Sequence, residues 1–144
     1  MISLIIPTYN EAGVVEQTLR RAAATLRSTG EDFELIVVDD ASADGTAQRA
    51  ESLASELPVR VLRRPGRLGL ATAVLDGWAA ARGDVLGVMD ADLQHPPETL
   101  APLAAAMRQF EEDLSRRSLD GPNPTLPLAD EASKYAASIG HEIA

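Results

Sequence analysis

Four short runs of consecutive apolar residues, separated by stretches in which apolar positions recur every three or four residues, set the plan of the chain. Runs of this length, rich in Val, Ile and Leu, suit strands buried on both faces, whereas the intervening period suits amphipathic helices. Ile2 to Ile6 is the first run and stops at Pro7-Thr8-Tyr9-Asn10-Glu11, with Asn10 placed to cap a helix. Val15, Leu19, Ala22 or Ala23, and Leu26 then share a face as far as Ser28, and Gly30 is the stop. Phe33 to Val38 is the second run, closed by Asp39-Asp40 and the turn-forming Ala41-Ser42-Ala43-Asp44-Gly45. A helix over Thr46 to Leu57, ended by Pro58, leads to a third run, Val59 to Leu62, and to the loop Arg63-Arg64-Pro65-Gly66-Arg67-Leu68-Gly69. The spacing predicts a helix over Leu70 to Arg82, a fourth run over Val85 to Met89, and a helix opened by Pro97-Glu98. In that last helix Leu100, Leu103, Met107, Phe110 and Leu114 fall on one face.

Strands and helices alternating in this way imply an α/β, Rossmann-like parallel sheet with helices on both faces, half or more of a doubly wound fold. The pattern assigns residues 1–114 to one domain. Ser115 to Pro127, with its Gly-Pro-Asn-Pro, reads as a linker, and Ala129 to Ile143 as a short amphipathic helix closing a 115–144 tail. Trp78 and Met107 are expected in the core.

With 144 residues the chain supports a single core, and at 3% aromatic that core is built from Ala, Val, Leu and Ile. The formal charge of −9 argues against nucleic-acid binding, which needs a basic surface to displace counterions. The absence of cysteine removes disulfide, zinc-thiolate and thiol-nucleophile chemistry. No run approaches the roughly 20 apolar residues of a membrane span, and the first apolar run is short, lacks a basic start and meets Pro7. A cytoplasmic protein is expected.

The strand ends carry the chemistry. Ligands of open α/β sheets sit beyond the carboxyl ends of the strands, where this chain places Tyr9 and Glu11, then Asp39 and Asp40, then Asp90, Asp92 and Gln94. Acids one residue apart with a neutral oxygen nearby form an oxygen-only set suited to Mg²⁺ or Mn²⁺, completed by water and substrate phosphates. A bare Asp-x-Asp also serves as the polar turn that any strand needs. Other residues divide in the same way. Tyr9 stacks on a base or packs in the core, Glu11 binds ligand or complements a helix N-terminus, and Asp39 braces its loop. Arg63, Arg64 and Arg67 form a solvated loop or lend one side chain to a phosphate. His95 packs in its loop or joins the site, and His141 lies on the surface. No Gly-x-Gly-x-x-Gly follows the first strand and no Gly-x-x-x-x-Gly-Lys-Ser/Thr occurs, which removes the dinucleotide and P-loop readings.

Four segments carry a resemblance: Ile5-Ile6-Pro7-Thr8-Tyr9-Asn10-Glu11, Val37-Val38-Asp39-Asp40-Ala41-Ser42-Ala43-Asp44-Gly45-Thr46, Gly69-Leu70-Ala71-Thr72-Ala73 and Met89-Asp90-Ala91-Asp92-Leu93-Gln94-His95-Pro96-Pro97-Glu98. In that order they resemble the family 2 glycosyltransferases of GT-A fold, in the dolichol-phosphate (polyprenyl-phosphate) mannosyltransferase branch. The resemblance implies that Pro7, Tyr9 and Glu11 line a base and ribose pocket that Val38 and Asp40 complete. It implies that Asp90, Ala91 and Asp92 hold the nucleotide-sugar diphosphate through Mg²⁺ or Mn²⁺, with Gln94 as a further metal ligand and Asp92 as the residue on which catalysis turns. The implied reaction is inverting transfer of mannose from GDP-mannose to a polyprenyl or dolichyl phosphate, at the cytoplasmic face of a membrane. A UDP-glucose-using relative is the alternative donor. The match covers residues 2 to about 107, and Glu111-Glu112-Asp113 with the proline-rich segment stands where the family continues. The expectation is therefore a chain cut short after Asp-x-Asp. Its alternatives are a catalytically inactive binding module and an interaction protein whose open sheet edge takes a partner chain.

Overall fold

The computed structural model describes residues 1–119; the helix expected over 129–143, and His141 with it, lie outside the described residues. In order the elements are β1 (Ile2–Thr8), α1 (Val15–Ser28), β2 (Phe33–Asp39), α2 (Thr46–Ser52), β3 (Val59–Arg63), α3 (Leu70–Ala80), β4 (Val85–Val88) and α4 (Leu100–Leu119). Short 3-10 turns at Leu53–Ser55 and Pro97–Thr99 follow α2 and precede α4. The chain divides into two compact units, Met1–Ala105 and Ala106–Ala144.

The four strands form one parallel sheet in the order β3-β2-β1-β4. Consecutive apolar residues allow each strand to bury both faces. Ile2, Leu4, Ile6, Leu35 and Val37 join Val15, Leu19, Ala22, Ala23 and Leu26 of α1 and Ala50 of α2 in the larger core. Ile5, Ile36 and Val38 face the other way and meet Ala73 of α3. Helices cover both faces, as the pattern requires.

Local differences from the expected elements have physical causes. β1 does not stop at Pro7 but runs to Thr8. Residues Ile5 and Pro7 hydrogen-bond toward the same side of a parallel strand, and Ile5 O accepts from Met89 N just beyond the last residue of β4. Proline's missing N–H therefore falls where no strand is left to receive it. Asn10 is not a helix cap: α1 begins at Val15, and Asn10 adopts φ 54° to bridge two loops. Gly30, at φ 74°, ends α1 as expected. α4 continues to Leu119, past the expected end of the helix near Leu114. Trp78 is not in the core: α3 meets the sheet through Ala73 and Gly77, so the indole lies to the side at 42% exposure. Met107 is also exposed.

Candidate functional site

The sheet reverses its winding between β1 and β4, and there the two strands part. β4 pairs with β1 only from Ile2 to Ile5, so Pro7 to Glu11 and Asp90 to Asp92 diverge around a crevice. Its volume is about 250 Å³, and Pro7, Tyr9, Glu11, Asp40, Asp90, Ala91 and Asp92 line it together with Thr8, Arg67, Gly69, Leu70 and Ala73. Two expected residues are elsewhere. Val38 is fully buried against Ile5, Ile36 and Ala73, beneath the cleft rather than on its wall. Gln94 is exposed outside the lining, its backbone N–H donating to Asp92 Oδ1 at 3.0 Å. His95 lines a separate depression with Val88, Met89 and Leu103.

Each wall is held by side chains remote in sequence. The loop after β1 is bonded to the loop after β2: Asn10 N–H donates to Ser42 Oγ, Ala43 N–H to Asn10 Oδ1, and Glu11 N–H to Thr46 Oγ1. Asp39 accepts from Thr8 Oγ1, Ser42 Oγ and Ser42 N–H, the bracing expected of it. Asp40 sits lower, accepting from Arg64 Nη1 at 2.6 Å and from Gly69 N–H at 2.8 Å. Arg64 is therefore no solvated loop residue. It also donates to Thr72 Oγ1 and Gly69 O, and its Nε lies 3.1 Å from Asp76 Oδ2 without the angle of a hydrogen bond. On the β4 side, Thr18 Oγ1 of α1 donates to the Ala91 carbonyl at 2.7 Å in a buried contact that fixes the Asp-x-Asp loop. Neither Arg64 nor Thr18 stands out by spacing, because each acts through a partner at least 24 residues away.

Among the described residues three non-glycine residues have positive φ, Asn10 (54°), Ala41 (57°) and Leu93 (62°), and they follow β1, β2 and β4. Left-handed backbone is costly for alanine and leucine. Its confinement to the three loops around the cleft marks where the fold spends stability on placement.

The electrostatics are one-sided. Burial pushes the Glu11 carboxyl up, and the charges of Asp92, Asp44 and Asp90 push it further. Asp90 and Asp92 thus project negative charge into the cleft, where a divalent cation would be drawn. Among the described residues no three His, Cys, Asp or Glu side chains gather tightly enough to enclose an ion. Tyr9, about 40% exposed, offers its ring to the cleft with the Arg67 Cζ 4.2 Å from its centroid.

A parallel α/β sheet with an acidic crevice at its switch point is the architecture that this chain shares with GT-A glycosyltransferases. The profile described as Glycosyl transferase family 2 matches residues 3–126, and the chain belongs to that family. A dolichol-phosphate mannosyltransferase of Pyrococcus furiosus is 47% identical over 107 residues, 74% of this chain and 30% of that protein. An undecaprenyl-phosphate mannosyltransferase of Micrococcus luteus is 41% identical over 140 residues, 94% of this chain and 56% of that protein. Among solved structures, the mannosyltransferase PcManGT of Pyrobaculum calidifontis, in complex with GDP-Man and Mn²⁺, superposes with a TM-score of 0.55 at 30% identity, covering 63% of this chain and 27% of that one. TarS of S. aureus in complex with UDP-GlcNAc gives a TM-score of 0.64 at 29% identity, covering 75% of this chain and 31% of that one. The chain spans between 30% and 56% of the length of these two curated relatives.

Proposed function

We propose that the cleft binds the nucleotide-sugar donor of a metal-dependent, inverting glycosyl transfer to a polyprenyl phosphate, with GDP-mannose as donor. The observation that carries this reading is the pair Asp90 and Asp92 beyond β4, facing Glu11 and Tyr9 beyond β1 across one crevice. The relatives named for mannosyl transfer to dolichyl and undecaprenyl phosphates, and the neighbour holding GDP-Man and Mn²⁺, support it.

In this reading Tyr9 stacks on the base, while Glu11 and Asp40 receive hydroxyl and N–H donors of the nucleoside. Pro7 and Ala91 complete the walls, and Val38 supports them from beneath. Asp90 and Asp92 would hold Mg²⁺ or Mn²⁺, with Gln94 as a further ligand. A cation bound there offsets the charge that develops on the leaving nucleoside diphosphate, which gives Asp92 its catalytic weight. An acceptor phosphate oxygen attacks the anomeric carbon as the bond to the diphosphate breaks on the opposite face. The acceptor is already an anion, so no strong base is required of the protein. In this reading the domain meets the lipid acceptor peripherally, at the cytoplasmic face; none of the described helices is long and apolar enough to cross a membrane.

One observation favours a second reading, a nucleotide-sugar-binding module without turnover. The cleft of about 250 Å³ is smaller than the roughly 300–1,000 Å³ of pockets that enclose drug-sized ligands, and it holds donor-side groups. A turnover assay with GDP-mannose and a short polyprenyl phosphate separates the two readings.

Calorimetric titration of GDP, GDP-mannose, UDP and UDP-glucose, each with Mn²⁺ and with EDTA, tests the donor site itself. Binding of guanine nucleotides that disappears in EDTA is expected. Preference for UDP ligands would transfer the proposal to a glucose donor, and the absence of metal-dependent binding would end it.

A further inference from the structure

Arg67 differs from the other arginines of its loop. Arg63 pairs with Glu51 at 2.7 Å, and Arg64 is engaged by Asp40, Asp76, Thr72 and the Gly69 carbonyl. Among the described residues, Arg67 makes no ion pair and no side-chain hydrogen bond; its guanidinium rests on the Tyr9 ring. It is also the only cation among the described residues lining the cleft, against the carboxylates of Glu11, Asp40, Asp90 and Asp92. Asp40 is already paired with Arg64. An exposed guanidinium near so many acids would ordinarily take one as a partner, yet the aromatic face holds it clear of them and leaves its N–H donors available.

We propose that Arg67 is a donor-binding residue that takes the phosphate oxygens of the nucleoside diphosphate, with the Tyr9 ring as its resting place. This rests on the donor-site reading above and deepens it. Arg67 enters from the loop after β3 and Asp90 and Asp92 from the loop after β4, so Arg67 and a cation held by the two aspartates would meet the diphosphate from the two outer strands of the sheet. A planar, donor-only, permanently charged fork matches phosphate and has little use for a hydroxyl. Gly69, the N-cap of α3, and Leu70, its first residue, line the same wall and add the positive end of the helix dipole. A divalent cation at Asp90 and Asp92 alone would leave Glu11 repelling the diphosphate; Arg67 supplies the missing counter-charge.

Arg67→Gln removes the charge at an exposed position and leaves the core untouched. GDP and UDP are titrated calorimetrically with Mn²⁺ into both proteins, and guanosine and uridine by NMR shift. The expected result is a loss of about tenfold or more for the diphosphate that the wild-type protein binds, with its nucleoside bound equally by both proteins. Equal weakening of diphosphate and nucleoside would assign Arg67 to the base and overturn the proposal, as would an unchanged diphosphate affinity. In both cases wild-type binding would keep the donor site standing. Failure of the wild-type protein to bind either diphosphate would remove the donor site and this role with it.

Discussion

Arg64 and Asp40, 24 residues apart in the chain, form an ion pair 2.6 Å long with side chains only 5% and 8% exposed. Asp40 lines the cleft, and Arg64 holds it there while tying the start of α3 to the end of β2. Breaking a buried pair from one side strands the other charge. Arg64→Leu should therefore lose about 3–5 kcal/mol of stability, read as a shift of the urea midpoint. Asp40→Asn keeps the Gly69 N–H as a donor and should lose less. Equal midpoints for wild type and Arg64→Leu would show that the pair contributes nothing net.

Gly77 lets α3 settle onto the sheet. A Cβ there would meet Ile5 Cγ2 at 2.6 Å, Ile5 Cγ1 at 2.8 Å and Val38 Cγ2 at 3.2 Å. Ile5 is β-branched and stiff at χ1, so it yields poorly. Overpacking of about 1–3 kcal/mol should outweigh the helix-propensity gain of about 1 kcal/mol. Gly77→Ala is expected to lower the melting temperature, and to lower it less in an Ile5→Ala background, where both contacting γ carbons are gone. A melting temperature raised by Gly77→Ala alone would contradict this.

Acid should attack the fold through Glu34. This buried side chain accepts from Ser3 Oγ and Arg82 N–H at 2.7 Å each and from Arg60 at 2.8 and 3.1 Å, joining β1, β2, β3 and the segment before β4. Burial pushes its carboxyl up, but the hydrogen bonds from Ser3, Arg82 and Arg60, with the Arg60 charge, outweigh this and hold it below its ordinary 4.5. The folded state thus binds this proton more weakly than the unfolded chain. The contribution to stability is full above the ordinary value and is lost as pH falls through the lower, folded one. Glu34→Gln should cost about 1–3 kcal/mol at neutral pH and flatten the acid limb of a stability-versus-pH curve. An acid limb as steep as the wild type's would point to other carboxylates.

The Asp-x-Asp loop should separate chemistry from placement. Asp90→Asn and Asp92→Asn keep the shape and remove charge, so they should abolish the metal-dependent part of nucleotide binding, a loss of about tenfold or more, while leaving the melting temperature near the wild type's. Thr18→Val leaves the buried Ala91 carbonyl without its donor. It should cost about 1–3 kcal/mol of stability and weaken binding in Mn²⁺ only several-fold. If Thr18→Val and Asp92→Asn behaved alike in both measurements, that division of labour would be wrong.

The chain's own pattern determined the element order, the parallel sheet and the two-sided covering. Those follow from apolar period and turn residues, which are local properties. It also determined which strand ends carry acids, since the residues after β1, β2 and β4 project toward one edge whatever the loops do. Tertiary structure alone decided which of those residues share a wall. Asp40 is held in place by Arg64, Val38 is buried in the core shared with Ala73 of α3, and the Gln94 backbone closes onto Asp92. Helical period showed that Trp78 lies on an apolar side of α3, but Ala73 and Gly77 made the contact, because the helix comes closest where side chains are smallest. The isolation of Arg67 on Tyr9 was equally beyond the pattern. Which of three neighbouring arginines remains free depends on the acids that folding brings to the other two, Glu51 for Arg63 and Asp40 with Asp76 for Arg64.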